Sequence, residues 1–400
     1  MRRCLIALAL SALAACGGGG GNSGATKASF TSVTAFGASL TDSGTFGYKF
    51  TVQPSEGQTY RVWSERVAAT YDVDDLCPAY LATSATTFAD NTGAGCTNYA
   101  IGGAVIQNFV PAADPANDSV NNASPISILK QLGDAATHAA ANDGFGADDL
   151  VLVGGDAGAN DVAAMLTYLL YAQQGSTAYQ QHFAKRVLSV IPAGSQYDAV
   201  RTQAQTALGS GDLPTAGGIY MTVLADTLAA TVQGTVLAAG ATHVVVQNTL
   251  DVTKTPKFQI GLKQQLIAGG MSEEDATATL ATIGTLAQGW LTVFNDELVA
   301  KLGDDSRIAI VDFYTHFNNE MADPAQYALS NVTTPVCTAV QTAMESPNPD
   351  ELSTCTDTIL DAGLPGWRSY VFANTFHPTP YGHQLLAEMV TDVLAKAGWL

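Results

Sequence analysis

The chain has 400 residues, of which 47% are hydrophobic and 13% are charged, and this composition excludes an intrinsically disordered protein. Its 36 acidic and 17 basic side chains leave a net charge of −19. A surface with such an excess of negative charge repels nucleic-acid backbones and anionic lipid headgroups, so we expect no nucleic-acid partner.

The first 15 residues have the pattern of a signal peptide. Arg2 and Arg3 supply a positive start, and the apolar run at residues 5–15 is too short to span a bilayer as a mature helix. We therefore predict that residues 1–15 are removed and that the protein is exported from a bacterial cytoplasm.

Cys16 follows small residues, as in the cleavage site of bacterial lipoproteins, where the cysteine becomes the lipidated first residue. Residues 16–28 are rich in glycine and predict a flexible tether. Gly17 after the cysteine favours the outer membrane, and this lipid anchor is the only membrane contact that we predict. The alternative is an ordinary signal peptide, a secreted protein and no role for Cys16.

Short β-rich runs alternate with helical patterns along the rest of the chain. Five strands are predicted at residues 31–36, 97–100, 150–153, 243–247 and 307–313. Helices are predicted at residues 61–71, 126–141, 178–191, 219–239, 277–302 and 381–396. This alternation predicts a parallel sheet with helices on both sides, in one domain over residues 29–400. Residues 166–215 are predicted to be a helical insertion that covers the functional site.

Four cysteines follow the tether: Cys77, Cys96, Cys337 and Cys355. An even number in an exported chain predicts disulfides, and four cysteines allow three connectivities. We predict the local pairs Cys77–Cys96 and Cys337–Cys355, each worth roughly 3 kcal/mol in the chain-entropy model. The alternative is four free thiols. No CxxC motif or histidine cluster accompanies them, so we predict no metal site.

Ser39 lies in the turn that follows the first predicted strand. Ligands bind at the carboxyl edge of a parallel sheet, and the glycines on either side of Ser39 let a substrate approach the backbone closely. The alternative is a serine that only caps a helix.

Three further blocks follow predicted strands or precede the last predicted helix. Gly102 and Gly103 form a turn whose N–H groups can point at a developing oxyanion, and the Asn160 amide can donate a further hydrogen bond. The alternatives are a plain glycine turn and a helix cap. His377 lies in a loop before the last helix, from which it can take a proton from Ser39.

In this order the four blocks resemble those of the GDSL, or SGNH, family of serine esterases and lipases. That family has a GDSL-type serine, a glycine turn, a G-x-N-D loop and a late D-x-x-H-P motif, and the matching blocks span residues 36–378 here. Thr255-Pro256 and residues 327–337 resemble the larger bacterial lipase and phospholipase branch. The resemblance implies a flavodoxin-like three-layer α/β/α sandwich with a five-stranded parallel sheet.

The resemblance also assigns roles by position. Ser39 matches the nucleophile, and His377 matches the general base. The oxyanion hole is expected to comprise the Ser39 N–H, an N–H of Gly102 or Gly103, with Gly103 favoured, and the Asn160 side chain. No phosphate loop, metal cluster or dinucleotide fingerprint appears, so no cofactor is expected.

The chain departs from the family pattern at two positions. Ala38 replaces the Asp of the GDSL block, which we expect to alter local order more than chemistry. Asn374 stands where the triad Asp is expected. Either the site is a Ser39–His377 dyad oriented by Asn374, or Asp156 or Asp361 replaces the missing acid, or the protein is catalytically weak; we favour the dyad.

These observations predict a carboxylic ester hydrolase, an esterase or lipase, that acts on lipid or small acyl esters. Within the same site, an acyltransferase, a phospholipase or a sugar-ester deacetylase are alternatives, because a fold does not fix its substrate. A lipid-anchored binding protein is an alternative from a different class, and its main support is Asn374.

Overall fold

A computed structural model describes residues 28–74, 76–91 and 95–400 of the chain. The predicted signal peptide, Cys16 and the tether up to residue 27 lie outside these residues. In the part of the chain that the structure describes, no helix combines the length and the apolar character needed to cross a bilayer.

Strands in the described residues form one central sheet and two small ribbons. They are β1 (Ser32–Phe36), β2 (Tyr80–Ala82), β3 (Phe88–Asp90), β4 (Phe109–Val110), β5 (Ser119–Val120), β6 (Asp149–Val153), β7 (Val244–Gln247) and β8 (Ile308–Val311). The central sheet is parallel with the order β1-β6-β7-β8, and Ser32 lies opposite Asp149. Pairs β2–β3 and β4–β5 are antiparallel. The parallel central sheet confirms the predicted α/β class.

Residues 97–100, predicted as a fifth strand, lie beside β1 but form no regular strand. Asn98 makes an isolated parallel bridge with Ala35, and the Tyr99 N–H donates to the Ala35 carbonyl. The Asn98 side chain accepts from the Ala100 N–H, a local bond that competes with a longer ladder. The sheet therefore has four regular strands instead of five. With this segment outside β1, the strand order follows the predicted flavodoxin-like pattern.

Helices flank the sheet on both sides. Within the described residues they are α1 (Trp63–Ala69), α2 (Ile128–Ala140), α3 (Asp156–Gln173), α4 (Thr177–Ser189), α5 (Asp198–Ser210), α6 (Leu213–Thr231), α7 (Lys263–Ala268), α8 (Glu273–Leu302), α9 (Phe313–Ala322), α10 (Val336–Ala343), α11 (Asp357–Gly363) and α12 (Pro380–Lys396). One layer contains α2, α6 and α8, and the other contains α1 and α12. Gly217 lets α6 approach α8, because a Cβ there would lie 2.0 Å from the Trp290 ring.

The predicted insertion at residues 166–215 is helical, but its predicted start falls inside a continuous helix. α3 begins at Asp156, directly after the loop that follows β6. α4 packs against α3 and α6, and α5 packs against α6. This region therefore extends the helical layer that already flanks the sheet.

Both predicted disulfides are present, Cys77–Cys96 and Cys337–Cys355. The second lies in a small hydrophobic core beside the main one, together with the buried side chains of Trp367 and Leu360. Ala373 belongs to the same small core. This core therefore supports the loop that leads to His377.

A buried ion pair joins α3 to α4. Arg186 donates to Asp161 (2.6 Å), and the Tyr220 hydroxyl donates to the same carboxylate oxygen (2.7 Å). The other oxygen of Asp161 accepts from the Ile106 N–H (2.8 Å). Since Arg186 and Asp161 are both almost fully buried, each charge depends on the other.

We predict that Arg186→Met lowers the free energy of unfolding by about 3–5 kcal/mol, because it leaves the Asp161 carboxylate buried without its counter-ion. Urea denaturation measures the change. Arg307→Met is the matched control, since Arg307 makes a pair of the same length with Asp305 at the surface, and it should leave the midpoint nearly unchanged. Equal losses in the two variants would contradict the prediction.

Candidate active site

Ser39 lies in a tight turn directly after β1, and a buried carboxylate fixes the backbone on either side of it. Asp156 Oδ2 accepts from the N–H groups of Ala38 (2.9 Å) and Leu40 (2.8 Å). The Ser39 N–H between them has no hydrogen-bond partner in the described residues. Burial raises the pKa of Asp156 to about 6, and the hydrogen bonds from the turn oppose this rise.

The glycine turn presents one engaged amide and one available amide. The Gly102 N–H donates to Asp42 Oδ2 (2.8 Å), so it is not available to a substrate. The Gly103 N–H has no partner among the described residues, and Gly103 has a φ of +81° with open space around its α-carbon. Of the two predicted oxyanion donors, the geometry therefore favours Gly103.

Asn160 faces the same turn from the start of α3. Its Nδ2 donates to the Ala104 carbonyl (2.8 Å), which uses one of the two amide hydrogens and leaves the second for a ligand. The neighbouring Asp161 accepts from the Ile106 N–H. These two bonds hold the start of α3 against the glycine turn and the residues after it.

His377 connects Ser39 to Asn374. The Nε2 atom of His377 lies 2.9 Å from Ser39 Oγ, and the Nδ1 atom lies 2.9 Å from Asn374 Oδ1. The Phe50 ring packs against the imidazole, with ring centroids 5.1 Å apart. The three predicted residues are thus linked by two consecutive hydrogen bonds, and they form the Ser39–His377–Asn374 relay.

The Asn374 amide has one orientation, which its neighbours determine. Nδ2 donates to the Asp350 carbonyl (3.1 Å), while Oδ1 accepts from the N–H groups of Phe376 (3.0 Å) and His377 (2.9 Å). Oδ1 therefore faces His377 Nδ1, and Nδ1 must carry the proton. Nε2 then has its lone pair directed at Ser39. In the serine-protease Asp to Asn variant, by contrast, the imidazole has the wrong tautomer.

The environment keeps the imidazole of His377 neutral. The pKa of His377 is lowered to about 3, chiefly by burial and also by the positive charge of Lys257, while the carboxylate of Asp350 opposes this shift. A neutral ring can accept the Ser39 proton over a wide pH range.

Neither carboxylate proposed as a replacement acid contacts His377. Asp156 holds the Ser39 turn, as described above. Asp361 is exposed and accepts from Trp367 Nε1 and from Arg368. The explanation that one of them fills the triad position is therefore wrong.

Asp350 is a further carboxylate beside the relay, and sequence analysis missed it. It accepts from the N–H and the hydroxyl of Thr375, the residue after Asn374. The only signal in the sequence was its position inside the predicted Cys337–Cys355 loop. It follows no strand and belongs to none of the four blocks.

A cavity of about 140 Å³ lies beside the relay. Its wall is largely apolar and comes from α3, from residues 252–265 and from the loop at residues 374–377, which we call the catalytic loop. The lining residues are Ala163, Leu166, Thr167, Tyr171, Val252, Thr255, Lys257, Phe258, Gly261, Leu262, Gln265 and Phe376. Phe376 lines the cavity and packs edge to face against the His377 ring. Of the predicted insertion, only its part of α3 lines this cavity, and the residues of α4 and α5 do not.

Comparison with known families supports the resemblance seen in the motifs. The sequence model of the GDSL-like Lipase/Acylhydrolase family matches residues 33–390, from β1 into α12. The chain has no match among curated proteins. The matched range includes all four blocks, so the predicted family is confirmed.

The orientation of Asn374 generates a prediction for ester turnover. We expect the parent protein to stay active well below pH 6.5, the ordinary pKa of a histidine, because the pKa of His377 lies near 3. Asn374→Asp places a negative charge at Nδ1, which favours imidazolium, so the acid limb of kcat should move to higher pH. At its optimum, this variant should stay within about tenfold of the parent.

Asn374→Ala is the companion variant, because it removes the acceptor without adding charge. We expect a loss in kcat of at least about hundredfold, since the imidazole is no longer held in the productive tautomer. Profiles of kcat against pH measure both variants. A large rise in turnover with Asn374→Asp would instead show that Asn374 handicaps the site.

Proposed function

We propose that this chain, which belongs to the GDSL-like lipase/acylhydrolase family and is a hydrolase of ester substrates, works through an acyl-enzyme on Ser39. The observation that carries the proposal is the relay from Ser39 Oγ through His377 to Asn374 Oδ1, with both distances at 2.9 Å. A nucleophile, a base and an oriented partner of the base are the parts that acyl transfer requires.

Ser39 Oγ attacks the ester carbonyl carbon while His377 Nε2 takes the hydroxyl proton. The tetrahedral intermediate collapses, the carbon–oxygen bond to the alcohol breaks, and His377 gives its proton to the departing alkoxide. Water then attacks the acyl-enzyme with His377 as base, which releases the carboxylic acid and restores Ser39. No cofactor enters this sequence.

Three donors are positioned for the oxyanion: the Ser39 N–H, the Gly103 N–H and the second amide hydrogen of Asn160. Neither backbone N–H has another partner in the described residues. Such donors stabilise charge that develops in the transition state, and removal of one typically costs about 10²–10³ in kcat.

We propose that the cavity between α3 and residues 252–265 holds the acyl group of the substrate. Leu166, Phe258 and Leu262 give it the apolar wall that an acyl chain requires, and Phe376 joins it to the catalytic loop. An acyl ester of a lipid or of a small alcohol fits this arrangement. A phospholipid, the kind of substrate that the larger bacterial lipase and phospholipase branch suggests, is also an acyl ester.

We place this reaction outside the cytoplasm, in a protein anchored to the outer membrane at Cys16 or secreted. The two disulfides support this proposal, because disulfides persist in oxidising compartments. The alternative of a binding protein loses its main support, since Asn374 is placed to orient His377.

Hydrolysis of p-nitrophenyl esters, from acetyl to palmitoyl, tests the proposal. Ser39→Ala should lower kcat by at least about 10³-fold, because no nucleophile remains. Ser43→Ala is the matched control: its buried hydroxyl has no hydrogen-bond partner in the described residues, and its loss should leave turnover unchanged. Turnover that survives Ser39→Ala, with the fold intact, would refute the acyl-enzyme.

The cavity generates a second prediction. Ala163→Leu adds bulk to the wall, so kcat/KM for palmitoyl esters should fall about tenfold while that for acetyl esters stays unchanged. Ala164→Leu is the matched control, because the next residue of α3 does not line the cavity. An unchanged chain-length profile in Ala163→Leu would place the acyl group elsewhere.

A further inference from the structure

We propose that Asp350 is a positioning residue for the ester hydrolysis: its backbone carbonyl orients Asn374, and its carboxylate, held by Thr375, places a negative charge behind the loop that contains His377. The inference rests on the proposed function of the Ser39–His377–Asn374 relay. The site then has a carboxylate that does not contact the imidazole itself but contacts Thr375, the residue after Asn374.

Hydrogen bonds tie Asp350 to two consecutive residues of the catalytic loop. Its carboxylate accepts from the Thr375 N–H (2.9 Å) and from Thr375 Oγ1 (2.6 Å), and its carbonyl accepts from Asn374 Nδ2 (3.1 Å). The carbonyl bond selects the amide orientation, because only the Nδ2 face can donate to it. Together with the Phe376 and His377 N–H groups on Oδ1, the Asp350 carbonyl therefore sets the tautomer of His377.

Thr375 is held from the opposite side as well. Its carbonyl accepts from the Lys257 N–H (2.7 Å), in the segment that lines the acyl cavity. The loop between Asn374 and His377 is thus clamped between Asp350 and Lys257, and the imidazole has little freedom to leave Ser39. Geometry held this closely favours proton transfer at a fixed distance.

The carboxylate itself is anchored by the disulfide region. Thr338 Oγ1 donates to Asp350 (2.6 Å), and the neighbouring Cys337 N–H donates to the Ala373 carbonyl (2.7 Å). The Cys337–Cys355 bridge closes the loop that contains Asp350. The segment after α10 therefore holds the negative charge of Asp350 in a fixed position against the catalytic loop.

A fixed negative charge here assists the step in which His377 becomes positive. The Asp350 carboxylate raises the pKa of His377 against burial and the Lys257 charge. Stabilisation of a charge that develops in the transition state lowers the barrier without tighter binding of the ester.

Asp350→Asn tests the proposal, because it removes the charge and retains the backbone carbonyl. We expect kcat for p-nitrophenyl esters to fall about tenfold with KM within twofold of the parent. The acid limb of kcat should move to lower pH, since His377 loses a charge that favours imidazolium. Asp357→Asn is the matched control. The Asp357 carboxylate is also buried, but it accepts hydrogen bonds from Ser55 and Tyr60 and not from the catalytic loop, so loss of its charge should not move the pH profile.

Thr375 provides a second pair of variants in case Asp350→Asn does not fold. Thr375→Val removes the hydroxyl link to Asp350 and should lower kcat, whereas Thr375→Ser keeps the link and should restore it. An acid limb that stays in place in Asp350→Asn, or equal kcat in Thr375→Val and Thr375→Ser, would overturn the proposal. Loss of the proposed function itself is distinguishable, because it appears as activity that survives Ser39→Ala.

Discussion

The direction of one side-chain amide decides whether this site has a base. Asn374 Oδ1 faces His377 because its Nδ2 donates to the Asp350 carbonyl and its Oδ1 accepts from the Phe376 and His377 N–H groups. With that orientation the imidazole keeps its proton on Nδ1 and offers Nε2 to Ser39. With the amide reversed, Nδ2 would face Nδ1 and force the opposite tautomer, which cannot accept a proton from the serine. In the proposed mechanism a neutral amide therefore performs the orienting part of the triad acid.

Buried carboxylates bind several backbone N–H groups around the nucleophile and so determine which N–H groups stay available to a substrate. Asp156 takes the amides on either side of Ser39, Asp42 takes that of Gly102, and Asp161 takes that of Ile106. The backbone amides of Ser39 and Gly103 are left without partners in the described residues. Burial of such carboxylates is costly, as the raised pKa of Asp156, about 6, indicates. The cost is offset by backbone hydrogen bonds that hold the proposed oxyanion donors in place before a substrate arrives.

Local patterns predicted those parts of the fold and site that depend on neighbours in sequence. Apolar runs located β1, β6, β7 and β8, and glycines and polar residues after strands located Ser39, Gly103 and Asn160. The extent of residues 97–100 could not be predicted, because it depends on the Asn98 side chain that bonds its own backbone. Asp350 was beyond prediction for a different reason. It reaches the catalytic loop only through tertiary contacts that the small disulfide core creates.

Asn374 and Asp350 are best understood as one electrostatic unit. A carboxylate at position 374 would place an oxygen against the Asp350 carbonyl and near the Asp350 carboxylate, where like charges repel. The site therefore has room for one negative charge behind the imidazole. Here that charge lies on Asp350, whose carboxylate accepts hydrogen bonds from Thr375, the residue after Asn374. Because the charge is more distant and burial keeps the pKa of His377 near 3, the imidazole is a weaker base than in a triad with direct contact. The lower proton affinity of the His377 imidazole has a consequence: the ring remains neutral, and able to accept a proton, in acidic surroundings.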